Sequence, residues 1–170
     1  IQPDLSTFSK AMANGFPVAA LTGKREIMER GGLRHDKERV FLLSTTFGAE
    51  TAGLAASIAT MRVYAREDVP GFLRRQGGRL RAGVLQAAAD ANVSNYFDVI
   101  GHPSNLVFVT KDANGERSQY FRALFMQEII RRGVIGPSFV VSYSHTDADI
   151  DRTIDAVADA LKVYRAALTD

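Results

Sequence analysis

The sequence predicts a mixed α/β chain in two parts, residues 1–69 and 70–170, and three observations carry that prediction. Short apolar runs alternate with segments of helical spacing, the pattern of strands and helices that share one set of layers. Val69-Pro70-Gly71 interrupts the alternation, and the residue before a proline is pushed out of the helical region, so this tripeptide reads as a boundary. Beyond it, three helical segments surround short strand-like runs, which predicts an α+β unit of helices on a small antiparallel sheet.

Taken in order, the opening IQPDL reads as the exit from a strand, followed by a hydroxyl-rich turn (Ser6, Thr7, Ser9) that ends on Lys10. An Asn14-Gly15 bend leads into a short strand through Pro17, Val18, Ala19, Ala20 and Leu21. Lys24 to Arg30 is expected to be a short helix stopped by Gly31-Gly32, and the charged stretch Leu33–Arg39 a loop with a solvated His35. Val40–Leu43 is apolar enough for an extended segment. From about Gly48 to Arg66 a helix is expected, with Leu54, Ile58 and Met61 on one face and alanines implying close packing.

In the second part a long helix is expected from Phe72 to about Ala91, although Gly77-Gly78 in its middle costs ~1 kcal/mol per glycine against alanine. Tyr96–Ile100 and Asn105–Thr110 read as strands joined through Gly101-His102-Pro103, and Asp112–Gly115 as a turn. Ser118–Arg132 reads as a helix ended by Gly133, and Phe139–Ser144 as a strand. Thr146 and Asp149 form a capping box, after which Ile150, Ile154, Val157, Leu161, Tyr164 and Leu168 keep helical spacing.

The totals exclude several classes of function. Lysine and arginine number 21 against 19 acids, interspersed along the chain, which is not the footprint of a nucleic-acid binder. With no cysteine there is no disulfide frame, thiolate metal site or cysteine nucleophile. No apolar run approaches the ~20 residues that span a bilayer. No leader pattern is visible, so the cytoplasm is the expected location; the chain opens on Ile1 rather than methionine.

Among candidate functional residues, a lysine in a loop is most simply a solvated cation. It becomes a nucleophile when its amine is neutral and aimed at a carbonyl. Ser44, Thr45 and Thr46 precede a helix, where hydroxyls serve either as caps or as partners of a phosphate. Gly15 suits a left-handed turn, or a close approach of backbone to a ligand. His35, His102 and His145 show no metal-ligand spacing, and His145 reads as a structural hydrogen-bonding group beside the capping box. Asp151, Asp155 and Asp159 read as a solvated helix face, and Arg79, Arg81, Arg131 and Arg132 as surface cations.

The segment PDLSTFSKAMANGFPVAALTGKREIM, followed in order by STTFGAETAGLAASIATM and SYSHTDADIDRTIDAVADALKVYRAAL, resembles the class III (fold type I) pyridoxal-phosphate aminotransferases, in the branch that includes glutamate-1-semialdehyde aminomutase. The resemblance implies that residues 1–69 are the C-terminal part of the large cofactor-binding domain, and that residues 70–170 are the small C-terminal α+β domain. On that reading the chain is the C-terminal portion of a longer enzyme, whose phosphate loop and cofactor-stacking aromatic lie upstream. The resemblance further implies that Lys10 holds pyridoxal 5'-phosphate as a Schiff base and, once freed, shuttles a proton. Thr45 would reach the cofactor phosphate across a homodimer interface, with Thr46 one residue from the same role. Glu50 departs from many relatives, which carry proline or histidine near that position. The implied reaction moves an amino group between a small-molecule amino donor and an aldehyde or ketone acceptor. The alternatives are intramolecular transfer, as in the aminomutase, and a binding module without activity of its own. The segment forms STTFGAE and AMANGFPVAAL incline the reading toward an aminotransferase.

Overall fold

The computed structural model describes residues 1–32, 34–38, 48 and 50–169. They divide into two compact units, Ile1–Glu67 and Asp68–Asp170.

The first unit is built on a two-stranded antiparallel hairpin, β1 (Leu5–Phe8) and β2 (Ala20–Gly23). Its register runs from Leu5 opposite Gly23 to Phe8 opposite Ala20. Ser6 and Thr7 therefore lie in a strand rather than in a turn, and the strand expected over Pro17–Leu21 begins at Ala20. The polar composition of LSTF hid β1, because its pairing comes from a partner across a loop, residues 9–19, rather than from an apolar pattern of its own.

A short helix α1 (Arg25–Met28) runs into a 3₁₀ turn over Glu29–Gly31, close to the expected helix. Val40–Leu43 lies outside the described residues. His35 is half-buried rather than solvated, and its Nδ1 accepts from the Lys37 N–H at 3.1 Å.

Helix α2 (Thr51–Arg66) follows, and it reverses one expectation. Its buried residues are small: Gly53 and Ser57, with Ala56, Thr60 and Val63 half-buried beside them. A Cβ built on Gly53 would sit 2.9 Å from the Val18 side chain, so this face lies close against the loop that connects β1 to β2. Leu54, Ile58 and Met61 share a face as their spacing predicts, but that face is exposed in the described structure, as are Ala55 and Ala59.

The second unit sets three helices, α3 (Val69–Asp90), α4 (Gln119–Arg131) and α5 (Asp147–Ala167), with an antiparallel sheet in the order β3-β4-β5. Its strands are β3 (Phe97–His102), β4 (Asn105–Thr110) and β5 (Phe139–Val140). The expected boundary proline lies inside the first turn of α3. Asp68 caps that helix by accepting from the Gly71 N–H at 3.0 Å, and Pro70 occupies a position where no amide hydrogen is needed.

Gly77 and Gly78 do not interrupt α3. A Cβ on Gly77 would collide with the Pro103 carbonyl, so the glycine lets the helix lie against the β3–β4 turn. Gly83 is similarly filled by Ile154 of α5. Strand β5 is shorter than Phe139–Ser144 because the chain leaves the sheet to form a turn, in which the Ser142 N–H donates to His145 Nδ1 at 3.2 Å. His145 is thus the structural hydrogen-bonding residue expected of it.

The core of this unit is aromatic. Phe125 lies 4.7 Å from Phe97 and 4.9 Å from Phe108, ring centre to ring centre, and Phe121 lies 4.8 Å from Tyr164. Each such ring, fully buried, contributes on the order of 1.5–3 kcal/mol. The Tyr164 hydroxyl accepts from the Lys111 N–H at 2.9 Å and shares its own hydrogen between the carbonyls of Lys111 and Tyr96. It ties α5 to the ends of β3 and β4, and burial pushes its phenol up to about 12. The capping box of α5 forms as its sequence predicts, with Thr146 and Asp149 bonded reciprocally. Among the described residues, no helix is long and apolar enough to cross a membrane.

Candidate active site around Lys10

Phe8 and Ala20 are the last paired residues of the hairpin, so Ser9 begins the connection that carries Lys10. Hydrogen bonds from side chain and backbone shape its first turn. Ser9 Oγ donates to the Val18 carbonyl at 3.0 Å, bridging the two arms of the connection just beyond the last strand pair. The Lys10 carbonyl accepts from the N–H groups of Ala13 and Asn14, at 3.2 and 3.0 Å, which closes a 3₁₀ turn over Lys10–Met12. Ala13 is buried beneath this turn at 2% exposure, whereas Lys10 is exposed.

Lys10 itself has φ +51°, in the left-handed region. For a side chain that is neither glycine nor asparagine, this conformation costs roughly 1–2 kcal/mol. The turn therefore holds Lys10 in a backbone state it does not prefer, and that state fixes the direction in which its Cα–Cβ bond leaves the chain. Strain of this kind gathers at functional positions. Asn14 (φ +47°) and Gly15 (φ +118°) are left-handed as well, and at Gly15 the angle accounts for the glycine without any ligand.

Among the described residues, no carboxylate pairs with the Lys10 ammonium and no hydrogen-bond acceptor receives it. The donor set of the turn is thus one uncommitted primary amine on a constrained backbone. That chemistry suits condensation with an aldehyde and does not suit a metal. A cleft of about 440 Å³, mostly apolar, opens beside the turn between Phe8, Met12 and the α2 residues Thr60, Met61 and Tyr64. Lys10 is not part of its lining.

Thr45 and Thr46 lie outside the described residues. Ser9 was legible only as part of a hydroxyl-rich stretch. Its particular signal is its place immediately before the lysine, where a short hydroxyl side chain can bond to neighbouring backbone.

In the second unit three of the expected surface cations, Arg79, Arg131 and Arg132, have carboxylate partners. Arg79 pairs with Asp147 and, at 2.6 Å, with Asp151, joining α3 to α5. Arg131 and Arg132 both bond to Glu128, which is buried at 4% exposure. The bond from Arg132 holds the Glu128 carboxyl below the usual range against the opposing effect of burial, and the Arg131 and Arg132 charges add to it. Spacings of three and four residues on one helix were the available signal for this clamp.

Comparisons with known proteins agree over nearly the whole chain. A family model described as Aminotransferase class-III matches residues 1–161. The chain is 32% identical over 171 residues to the 3-aminobutyryl-CoA aminotransferase of Cloacimonas acidaminovorans, covering 99% of this chain and 39% of that protein. It is 30% identical over 197 residues to the glutamate-1-semialdehyde 2,1-aminomutase of Halobacterium salinarum, covering 95% of this chain and 43% of that one. The crystal structure of an omega-transaminase from Sphaerobacter thermophilus superposes with a TM-score of 0.78 at 25% identity, over 96% of this chain and 39% of that one. The chain thus spans about two fifths of the length of the curated relatives it matches.

Proposed function

The chain belongs to the class-III aminotransferase family, and from that premise we propose that it forms part of a pyridoxal-phosphate enzyme. The reaction is transfer of an amino group between a small-molecule amino donor and an aldehyde or ketone acceptor. The observation that carries the reading is Lys10: a primary amine without an ionic partner among the described residues, on a left-handed turn that fixes its exit from the backbone. In a family of amino-group transferases, that is the residue type and setting the chemistry needs.

When bound, pyridoxal phosphate supplies an aldehyde for amine condensation and a ring that accepts electrons from the carbon bearing the amino group. Lys10 Nζ is the group that carries the cofactor. Once free, Nζ would be the base that takes a proton from the donor's carbon and returns it, the role a positioned lysine amine can fill. The left-handed turn sets the direction in which the Lys10 side chain leaves the backbone, which is a matter of positioning rather than of added reactivity.

On the same reading, residues 1–69 belong to the large cofactor domain and 70–170 to the small domain. The division of the structure at Glu67 and Asp68 supports this. We further propose a cytoplasmic homodimer in which Thr45 donates its hydroxyl to the cofactor phosphate held by the partner subunit. The resemblance of STTFGAE to the family segment supports that role. A second reading, intramolecular transfer as in the aminomutases, is favoured by the 30% identity to the Halobacterium salinarum protein.

Single-turnover assays test the proposal. Mixing the holoenzyme with an amino donor alone should convert the cofactor to its amine form, and an added keto acceptor should restore it. Lys10→Ala should lower the rate by at least 10²–10⁴-fold, the usual contribution of a positioned base. Turnover of glutamate-1-semialdehyde without any second substrate would select the mutase reading. A colourless full-length protein would instead support a binding module. Thr45→Ala should weaken cofactor retention, and retention equal to wild type would remove Thr45 from the site.

A further inference from the structure

The bond from Ser9 to Val18 is the last tether between the two arms of the connection before the lysine. Strand pairing ends at Phe8 and Ala20, and the bridge from Ser9 Oγ to the Val18 carbonyl lies just beyond it. Lys10, the next residue, then enters the left-handed region at φ +51°. A conformation that costs energy persists only where surrounding bonds determine it. On the far side of Lys10, its own carbonyl receives Ala13 and Asn14. On the near side, Ser9 lies past the strand ladder; its carbonyl accepts from the Met12 N–H at 3.2 Å, and its side chain makes no capping bond to the turn that follows. The hydroxyl's bond goes across the connection instead, so it fixes where the strained turn sits rather than whether the turn forms.

We propose that Ser9 is a positioning residue for Lys10: its hydroxyl, bonded to the Val18 carbonyl, holds the backbone from which the lysine amine reaches the reacting carbon. This rests on the reading of Lys10 given above. On this reading Ser9 acts through Lys10 rather than on a reacting atom. Its contribution is to keep Nζ within the narrow range of positions that proton transfer requires, where a displacement of about 1 Å can cost about 100-fold in rate. Binding of substrate does not depend on that placement, so the effect belongs in kcat and not in KM.

The test compares Ser9→Ala with Ser9→Thr in the holoenzyme. Ser9 is exposed and its hydroxyl makes one bond, so Ser9→Ala should melt within a few degrees of wild type. After borohydride reduction, its pyridoxyl label should remain on Lys10. Its kcat should fall about 10-fold with KM changed by less than about 2-fold, and Ser9→Thr, which restores a hydroxyl, should recover most of the loss. A Ser9→Ala enzyme with wild-type kcat overturns the positioning role alone, and so does a loss that Ser9→Thr does not recover. Absence of the label from Lys10 in the wild-type enzyme overturns the reading of Lys10 and this inference with it.

Discussion

At the scale of single residues, side chains whose type seemed unremarkable turn out to be constrained by their surroundings. Glu128 is the clearest. A carboxylate buried at 4% exposure is tolerable because Arg131 and Arg132 both reach it, Arg132 at 2.7 Å. Its folded-state carboxyl lies below the ordinary glutamate value of 4.5. A depressed carboxyl contributes stability that is fully present above the unfolded value and is lost as pH falls through the lower, folded one. The expected outcome is an acid limb of the stability curve that flattens in Glu128→Gln, with the variant closest to wild type at the lowest pH. Urea titrations from pH 7 down to pH 3 check this, and parallel acid limbs in the two proteins would contradict it. Lys10 belongs to the same scale. Its residue type was legible from the surrounding segment, whereas its left-handed backbone was not, because nothing in SKAM marks a position that disfavours L side chains.

At the scale of elements, two adjacent glycines in α3 make opposite predictions. A Cβ at Gly77 meets the Pro103 carbonyl, a backbone atom that cannot easily move, whereas a Cβ at Gly78 meets nothing within 4 Å. Gly78→Ala should therefore stabilise by about 0.5–1 kcal/mol through helix propensity alone. Gly77→Ala should destabilise by about 1–3 kcal/mol, the usual cost of overpacking. Thermal or denaturant melts of the two variants decide the matter, and equal effects of one sign would show that α3 does not lie against the β3–β4 turn as described.

The same pair illustrates what the sequence carries and what it omits. Helical periodicity marked α3, α4 and α5, and the capping box of α5 could be read directly, since these signals are local. The glycines registered only as a propensity cost, because the neighbour that requires Gly77 is distant in sequence. Strand β1 was missed for a related reason: LSTF lacks an alternating apolar pattern and becomes a strand through pairing with ALTG. In α2 the apolar stripe was found, but which face is buried depended on the fit of Gly53 against Val18, and periodicity does not contain that information.

At the scale of the whole molecule, the structure divides into a unit that carries the lysine turn and a unit with its own aromatic core. Family membership was legible in three segments that occur in the family's order along the chain. Substrate identity was not, since it depends on side chains that converge from separated segments. The relatives include both an aminotransferase and aminomutases at similar identity. The central claim, that the Lys10 amine carries the cofactor, is tested most directly by peptide mapping of the borohydride-reduced holoenzyme. The account predicts one pyridoxyl adduct, on the peptide that contains Lys10. An adduct on any other lysine, or none in a protein that retains its cofactor, would contradict it.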